Sequence, residues 1–143
     1  EIGFPMGLDA LNPLEVLFDD CKIMSLRIDA PTGRECDGLV EEGEVAVGIK
    51  ASPHWDSFPS VFVDATFSVH HQNARTYDID LSTRSQFVFP EEASRDDADE
   101  YLRSYGVSKI YDSSRIYLKG ITAGGVFGPI EIPGMSTSAQ TGV

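Results

Sequence analysis

From Tyr77 to Phe89 the chain alternates without a break. The odd positions read Tyr77, Ile79, Leu81, Thr83, Ser85, Phe87 and Phe89; the even ones read Asp78, Asp80, Ser82, Arg84, Gln86 and Val88. Successive side chains of a strand point to opposite sides, so this run predicts a long strand with one buried and one wet face. Three further runs read the same way. From Ser60 to His70 one face collects Val61, Val63, Ala65, Phe67 and Val69, and Val45, Val47 and Ile49 alternate in a strand that Pro53 terminates. The first strand-like run, Leu14 to Ile28, places Met24, Leu26 and Ile28 on one face and Cys21 and Ile23 on the other, until Ala30-Pro31-Thr32-Gly33 ends it with turn residues. His71 to Arg75 is short and polar enough for the hairpin between the third and fourth strands. The polar stretch from Arg34 to Gly43, apolar only at Leu39 and Val40, reads as a crossover loop.

At Ser94 the periodicity changes. Ser94 followed by Asp97 fits a helix N-cap with an acidic third position, and Asp96, Asp97 and Asp99 suit the positive helix end. Ala98, Tyr101, Leu102 and Tyr105 make one helical stripe that Gly106 should stop. Ile110, Ser114, Tyr117, Leu118 and Ile121 predict a second helix ending at Gly124-Gly125, and Pro129 and Pro133 keep the remainder extended. The expected fold class is therefore α+β: a four-stranded antiparallel sheet followed by two C-terminal helices on one side. The 143 residues suit a single domain over 1–143, with an arm without regular structure over about 1–13 and a frayed tail over about 136–143. The first residue is Glu1, which leaves open a longer or processed natural N-terminus.

Composition narrows the function. Hydrophobic residues make up 41% of the chain, enough for a real core, yet no apolar run approaches the roughly 20 residues of a membrane span. Acids outnumber bases 23 to 11, and without clustered Lys and Arg neither a nucleic acid nor an anionic lipid surface is an expected partner. Two cysteines, Cys21 and Cys36, are too few for a disulfide framework and lack metal-ligand spacing; a reducing cytosol is the simplest compartment, with one disulfide still open. No metal, cofactor or catalytic residue is expected. His70 and His71 are neighbours on a strand and so point apart, His54 sits beside Pro53 and Trp55 in a loop-like stretch, and no Ser-His-Asp arrangement or phosphate-cradling glycine loop occurs.

Several local runs carry a resemblance. IMSLRIDAP (Ile23 to Pro31) ends in an apolar residue, an acid, a small residue and proline. YDIDLSTRSQFVF (Tyr77 to Phe89) has an acid at Asp80 and an aromatic at Phe87. Leu102, Tyr105, Ile110, Arg115, Gly125, Phe127 and Pro133 then recur through the helical segment. In this order of strands and helices, roughly Phe18 to Met135 resembles the bacterial export chaperone family SecB. The pattern departs at Ser82 and Thr83, where the family has paired glutamines, at Asp112 to Ser114 and at Ile116, so the resemblance is to a diverged member.

The resemblance implies an ATP-independent chaperone that holds unfolded or precursor polypeptides and passes them to the motor SecA. The alternative is a SecB-like module dedicated to one partner, such as an antitoxin-associated chaperone or a mobile-element protein. It implies a client groove between crossover loop and second helix at Leu39, Val40, Val45, Val47, Tyr117, Ile121 and Phe127; for Val45, Val47 and Ile121 the plain alternative of core packing is favoured. It also implies a partner-docking acidic face at Asp29, Asp78 and Asp80, against which stands the plain reading of ordinary wet-face residues. Self-association as a dimer of dimers follows from the family, and apolar residues on two sheet faces that two short helices cannot both cover agree with it.

Overall fold

The structure is a computed structural model that describes residues 15–30, 44–72 and 76–134. The expected arm, the crossover loop with Leu39 and Val40, Cys36, the 73–75 hairpin tip and the tail lie outside the described residues. Among the described residues the strands are β1 (Leu17–Asp29), β2 (Glu44–His54), β3 (Ser60–Gln72) and β4 (Asp78–Val88). They form one antiparallel sheet in the order β1-β4-β3-β2. The alternation read from Tyr77 onward is the burial pattern of β4: Ile79, Leu81, Thr83, Ser85 and Phe87 are all buried, with partly or fully exposed residues between them. Pro53 does not end β2, which runs to His54; β2 is an edge strand, where a missing backbone donor costs no ladder bond.

The two expected helices are corrected to one continuous helix. α1 (Arg95–Tyr101) passes through a π-helical turn (Leu102–Gly106) into α2 (Val107–Ile121). At the turn the Val107 N–H donates to the Leu102 carbonyl five residues back. A glycine stop needs the left-handed region, whereas Gly106 sits at φ −62° and ψ −47°, in ordinary helical space. Its role is close approach. A Cβ at position 106 would lie 2.9 Å from Leu102 Cδ2 and 3.4 Å from Phe87 Cζ, so the helix presses onto β4 there. The start of the helix follows the sequence signal: the Asp97 N–H donates to Ser94 Oγ at 3.1 Å, and the Ser94 N–H to the Asp97 carboxylate at 3.4 Å.

The helix lies along the odd face of the sheet and seals the core. Tyr101 packs against Phe87 and Phe89, with ring centroids at 6.3 and 5.6 Å, and Tyr111 against Phe67 at 5.2 Å. Ile110 and Leu118 are fully buried beneath α2, while Tyr117 and Ile121 from the same expected stripe are exposed. The helix ends at Ile121, three residues short of the glycine pair. Thr122 closes it, its hydroxyl donating to the Leu118 carbonyl at 2.7 Å and accepting from the Ile130 N–H at 2.8 Å. The exit turn is clamped by Tyr77, whose hydroxyl donates to the Gly128 carbonyl (2.7 Å) and accepts from the Phe127 N–H (3.0 Å). A Cβ at Gly125 would collide with that hydroxyl, and Gly128 takes the left-handed φ of 72°. Tyr111 then donates to the Pro133 carbonyl, and Lys119 pairs with Glu131, so the exit segment runs back along α2.

β1 departs from its expected facing. Its register against β4 slips by one residue between Asp19 and Lys22 and again between Ile23 and Ser25. Two bulges invert the parity twice. Ile23 stands opposite Thr83, Leu26 opposite Leu81 and Ile28 opposite Ile79, so all three share the helix side, joined by Cys21, which accepts a hydrogen bond from the inward Ser85. Among the described residues no helix is long and apolar enough to cross a membrane.

Candidate functional site

The acidic residues singled out on β1 and β4 come together. Asp29 stands directly opposite Asp78, and Arg27 opposite Asp80, which puts all four on the outer face of the sheet. Like charges facing each other across a strand pair repel, and the neighbours answer that repulsion. Arg27 Nε donates to Asp29 at 2.7 Å. His70 reaches Asp80 at 3.2 Å and Asp78 at 3.6 Å, and the His71 ring also approaches Asp78 at 3.6 Å while the His71 backbone N–H donates to the same carboxylate. His70 and His71 thus converge on one carboxylate, despite their adjacent positions. Asp29, Asp78 and Asp80 form a compact acidic block whose every carboxylate has an imidazole or guanidinium partner.

A second cross-strand cluster was not singled out in the sequence. Arg84 on β4 donates to both Asp64 oxygens, at 2.7 and 3.0 Å, and His54 on β2 reaches the same carboxylate at 2.8 Å. The Arg84 hydrogen bonds, assisted by His54, hold the Asp64 carboxyl down at about 2. Asp64, Arg84 and His54 occupy outward, alternating positions, so the signal was present; only the register that puts Asp64 opposite Arg84 was missing. Among the described residues no group of three or more His, Cys, Asp and Glu side chains is arranged to hold a metal ion.

The apolar residues assigned to the client groove are less tightly grouped. Val45 and Val47 lie on β2, the edge opposite β1, with Val45 47% exposed and Val47 packed partly against the core. Tyr117 stands over the other side, beside Cys21, Ile23 and Thr83. Ile121 is 47% exposed one turn further along α2, and Phe127 is held edge-on against Tyr77 at 5.5 Å. Core packing, the favoured alternative for Val45, Val47 and Ile121, fits only Val47. Tyr117 and Ile121 share a helix flank; the β2 valines sit roughly three strand spacings away, about 14 Å, from the β1 edge. Two further exposed apolar residues were given no groove role in the sequence: Ile116 on α2, 64% exposed, and Val126 on the exit turn, 62% exposed.

Between β1, β4 and α2 lies a cavity lined by Cys21, Ile23, Thr83, Ser113, Ser114 and Tyr117. The hydroxyls of Thr83 and Ser114 are buried there without a hydrogen-bond partner. On β4 these are the positions where the inward run changes from aliphatic to hydroxyl, at Thr83 and Ser85.

No protein-family model matches this chain, and no curated protein sequence does. Solved structures do. A SecB-like chaperone of Mycobacterium tuberculosis, in complex with a ChAD peptide from the HigA1 antitoxin, superposes with a TM-score of 0.66 over 86% of this chain and 91% of its own, at 12% identity. A protein of unknown function from Streptococcus agalactiae aligns over 83% of this chain and 97% of its own at 12% identity, but its TM-score of 0.39 carries no argument. The antiparallel sheet, the long helix laid along one face and the superposition over most of both chains together make the fold of this protein SecB-like.

Proposed function

We propose that this chain is an ATP-independent, SecB-like chaperone that holds extended polypeptide, and that a single dedicated partner suits it at least as well as a general set of export precursors. The observation that carries the reading is the apolar surface exposed by α2 and its exit turn, where Ile116, Tyr117, Ile121 and Val126 stand in solvent on a frame whose solved likeness binds an antitoxin peptide. An unfolded client presents apolar side chains, and covering such surface is worth about 25 cal/mol per Å² of apolar area removed from water. Holding of this kind is non-catalytic and needs no cofactor. The groove we assign combines Val45, Val47, Tyr117, Ile121 and Phe127 with Leu39 and Val40, the last two on the strength of the sequence alone.

A second reading, docking to a basic partner such as SecA, is favoured by one observation: Asp29, Asp78 and Asp80 form a single block on the outer sheet face. Such a block steers approach and sets orientation more than it adds affinity. Self-association belongs to the same proposal, because β1 is a 13-residue edge strand with Leu17, Ile23 and Met24 exposed, and long apolar edges invite pairing. A monomer by light scattering at micromolar concentration would remove it. A cytoplasmic setting goes with this role.

The test is aggregation of several unrelated unfolded proteins, followed by light scattering without ATP. Suppression for all of them supports general holding, suppression for one supports the dedicated role, and suppression for none overturns both. The double variant Ile116→Ser, Ile121→Ser should lose most of the suppression while melting within about 1–2 kcal/mol of the parent, since neither side chain is buried.

A further inference from the structure

The side of α2 that faces β1 leaves an apolar furrow along the edge of the sheet. Lys109 stands over the Phe18 ring, its Nζ 5.9 Å from the centroid, and one and two turns further on Ser113 and Tyr117 lie beside Cys21 and Ile23. Residues four apart share a helix side, so Ile121 continues the same row. Among the described residues β1 has a strand partner on one side only, and Ile23, Tyr117 and Ile121 all remain exposed. The helix row from Lys109 to Ile121 is about 18 Å long, and β1 covers about 17 Å between Phe18 and Ile23. The two walls of the furrow are thus of one length.

The sequence supplies a segment that fits it. Fourteen residues precede Glu15, the first described one, and they join the structure at the Phe18 end of the furrow. Ile2, Phe4, Met6 and Leu8 alternate with Gly3, Pro5 and Gly7. An extended backbone with that pattern turns four apolar side chains to one side and almost no bulk to the other. Ile2 to Leu8 spans about 20 Å when extended. Asp9 to Leu14 then leaves six residues, with Asn12-Pro13 as turn residues, for the chain to reverse direction before β1. The reversal brings Asp9 to the Phe18 end, where Lys109 has no carboxylate partner among the described residues. We propose that the N-terminal segment Ile2 to Leu8 lies antiparallel to β1 in this furrow, as a tethered occupant that a client must displace. Ile2 and Phe4 pack against Ile23, Tyr117 and Ile121, Leu8 lies beside Phe18, and Asp9 pairs with Lys109. A tether holds such a segment at a millimolar effective concentration, and a segment docked nine-tenths of the time weakens client binding there about tenfold. The proposal deepens the polypeptide-holding reading and rests on it for the effect on clients; docking of the segment is testable without any client.

The first measurement needs no variant: NMR of the full chain should show NOE cross-peaks from the Phe4 ring and the Ile2 methyls to Ile23 and Tyr117. In the double variant Phe4→Ser, Met6→Ser those cross-peaks should vanish and the Ile23 and Tyr117 signals should move. A synthetic peptide covering Glu1 to Ala10, titrated into the variant, should return those signals saturably toward their positions in the parent. In the aggregation assay the variant should reach half-suppression at about a three- to tenfold lower concentration than the parent. Absent cross-peaks, with Ile23 and Tyr117 signals unmoved in the variant, would overturn the proposal. So would parent signals that change on dilution, because the furrow would then hold the segment of a second copy. Suppression that is unchanged or weaker in the variant would overturn the competition with clients. Suppression by both proteins without the cross-peaks removes the docked segment and leaves holding intact. Cross-peaks without suppression by either protein do the reverse.

Discussion

Two glycines of the long helix should respond in opposite directions to the same substitution. Ala is favoured over Gly in a helix interior by about 0.5–1 kcal/mol, through reduced backbone freedom in the unfolded chain. At Gly120 nothing lies within 4 Å of the added Cβ, so Gly120→Ala should collect the whole of that gain. At Gly106 the new methyl would meet Leu102 Cδ2 at 2.9 Å and Phe87 Cζ at 3.4 Å. Leu102 is 2% exposed and Phe87 fully buried, so neither can swing into solvent. Overpacking of this kind costs about 1–3 kcal/mol, which exceeds the propensity gain. Gly106→Ala should therefore be destabilising by about 1 kcal/mol, a fall of roughly 3–4 °C in melting temperature at this chain length. Urea or thermal melts of the two variants against the parent measure the difference. If Gly106→Ala stabilised as much as Gly120→Ala, the close approach of helix and sheet would be refuted, and the conformational role of that glycine would have to be reconsidered.

Three other outcomes follow from the hydrogen-bond inventory. Thr83→Val replaces a buried, unpartnered hydroxyl by a methyl of similar shape and should raise stability by about 1 kcal/mol in urea melts; a loss would mean that the hydroxyl is bonded in solution. Tyr77→Phe strips partners from the Gly128 carbonyl and the Phe127 N–H and should cost about 1–3 kcal/mol, with amide exchange at Phe127 accelerating before the rest of the chain. The Asp64 carboxyl is held at about 2, below its ordinary 3.8, so its contribution to stability is complete above 3.8 and is lost as pH falls toward 2. Because Asp64 is more than a third exposed, that contribution should stay below about 1 kcal/mol, and acid titration of Arg84→Met should flatten the curve in that window.

What the sequence disclosed depended on how local the determining physics is. Strand alternation is a property of neighbouring residues, and β3 and β4 were readable from it residue by residue. The N-cap at Ser94 was readable for the same reason. The facing of β1 was not, because two bulges shift its parity and a bulge is decided by the partner strand. Gly106 was misread since glycine serves both as a helix stop and as a contact point, and only Leu102 and Phe87 across the interface tell the two apart. Of the site, alternation put Asp78 and Asp80 on one wet face and the family resemblance added Asp29; that Asp29 stands opposite Asp78 is visible only in the register. The meeting of Arg84, Asp64 and His54 was not legible because it needs the register of both hairpins, and because His54, read as loop-like after Pro53, belongs to β2. Leu39 and Val40 remain assignments from sequence.

The strand order has a consequence for how the chain reaches its native state. β1 and β2 are consecutive in the chain yet occupy opposite edges, while β1 finds its only strand partner among the described residues in β4: Leu17 pairs with Val88 and Asp29 with Asp78. The β2–β3 and β3–β4 hairpins close locally and quickly; β1 must wait for the last strand. At synthesis rates of roughly 5–20 residues per second, β1 emerges from the ribosome several seconds before β4 exists. During that interval Leu17, Phe18, Ile23, Met24, Leu26 and Ile28 form an unpaired, adhesive segment. A protein proposed to shelter the unfinished chains of others thus passes through its own nascent stage with its first strand uncovered.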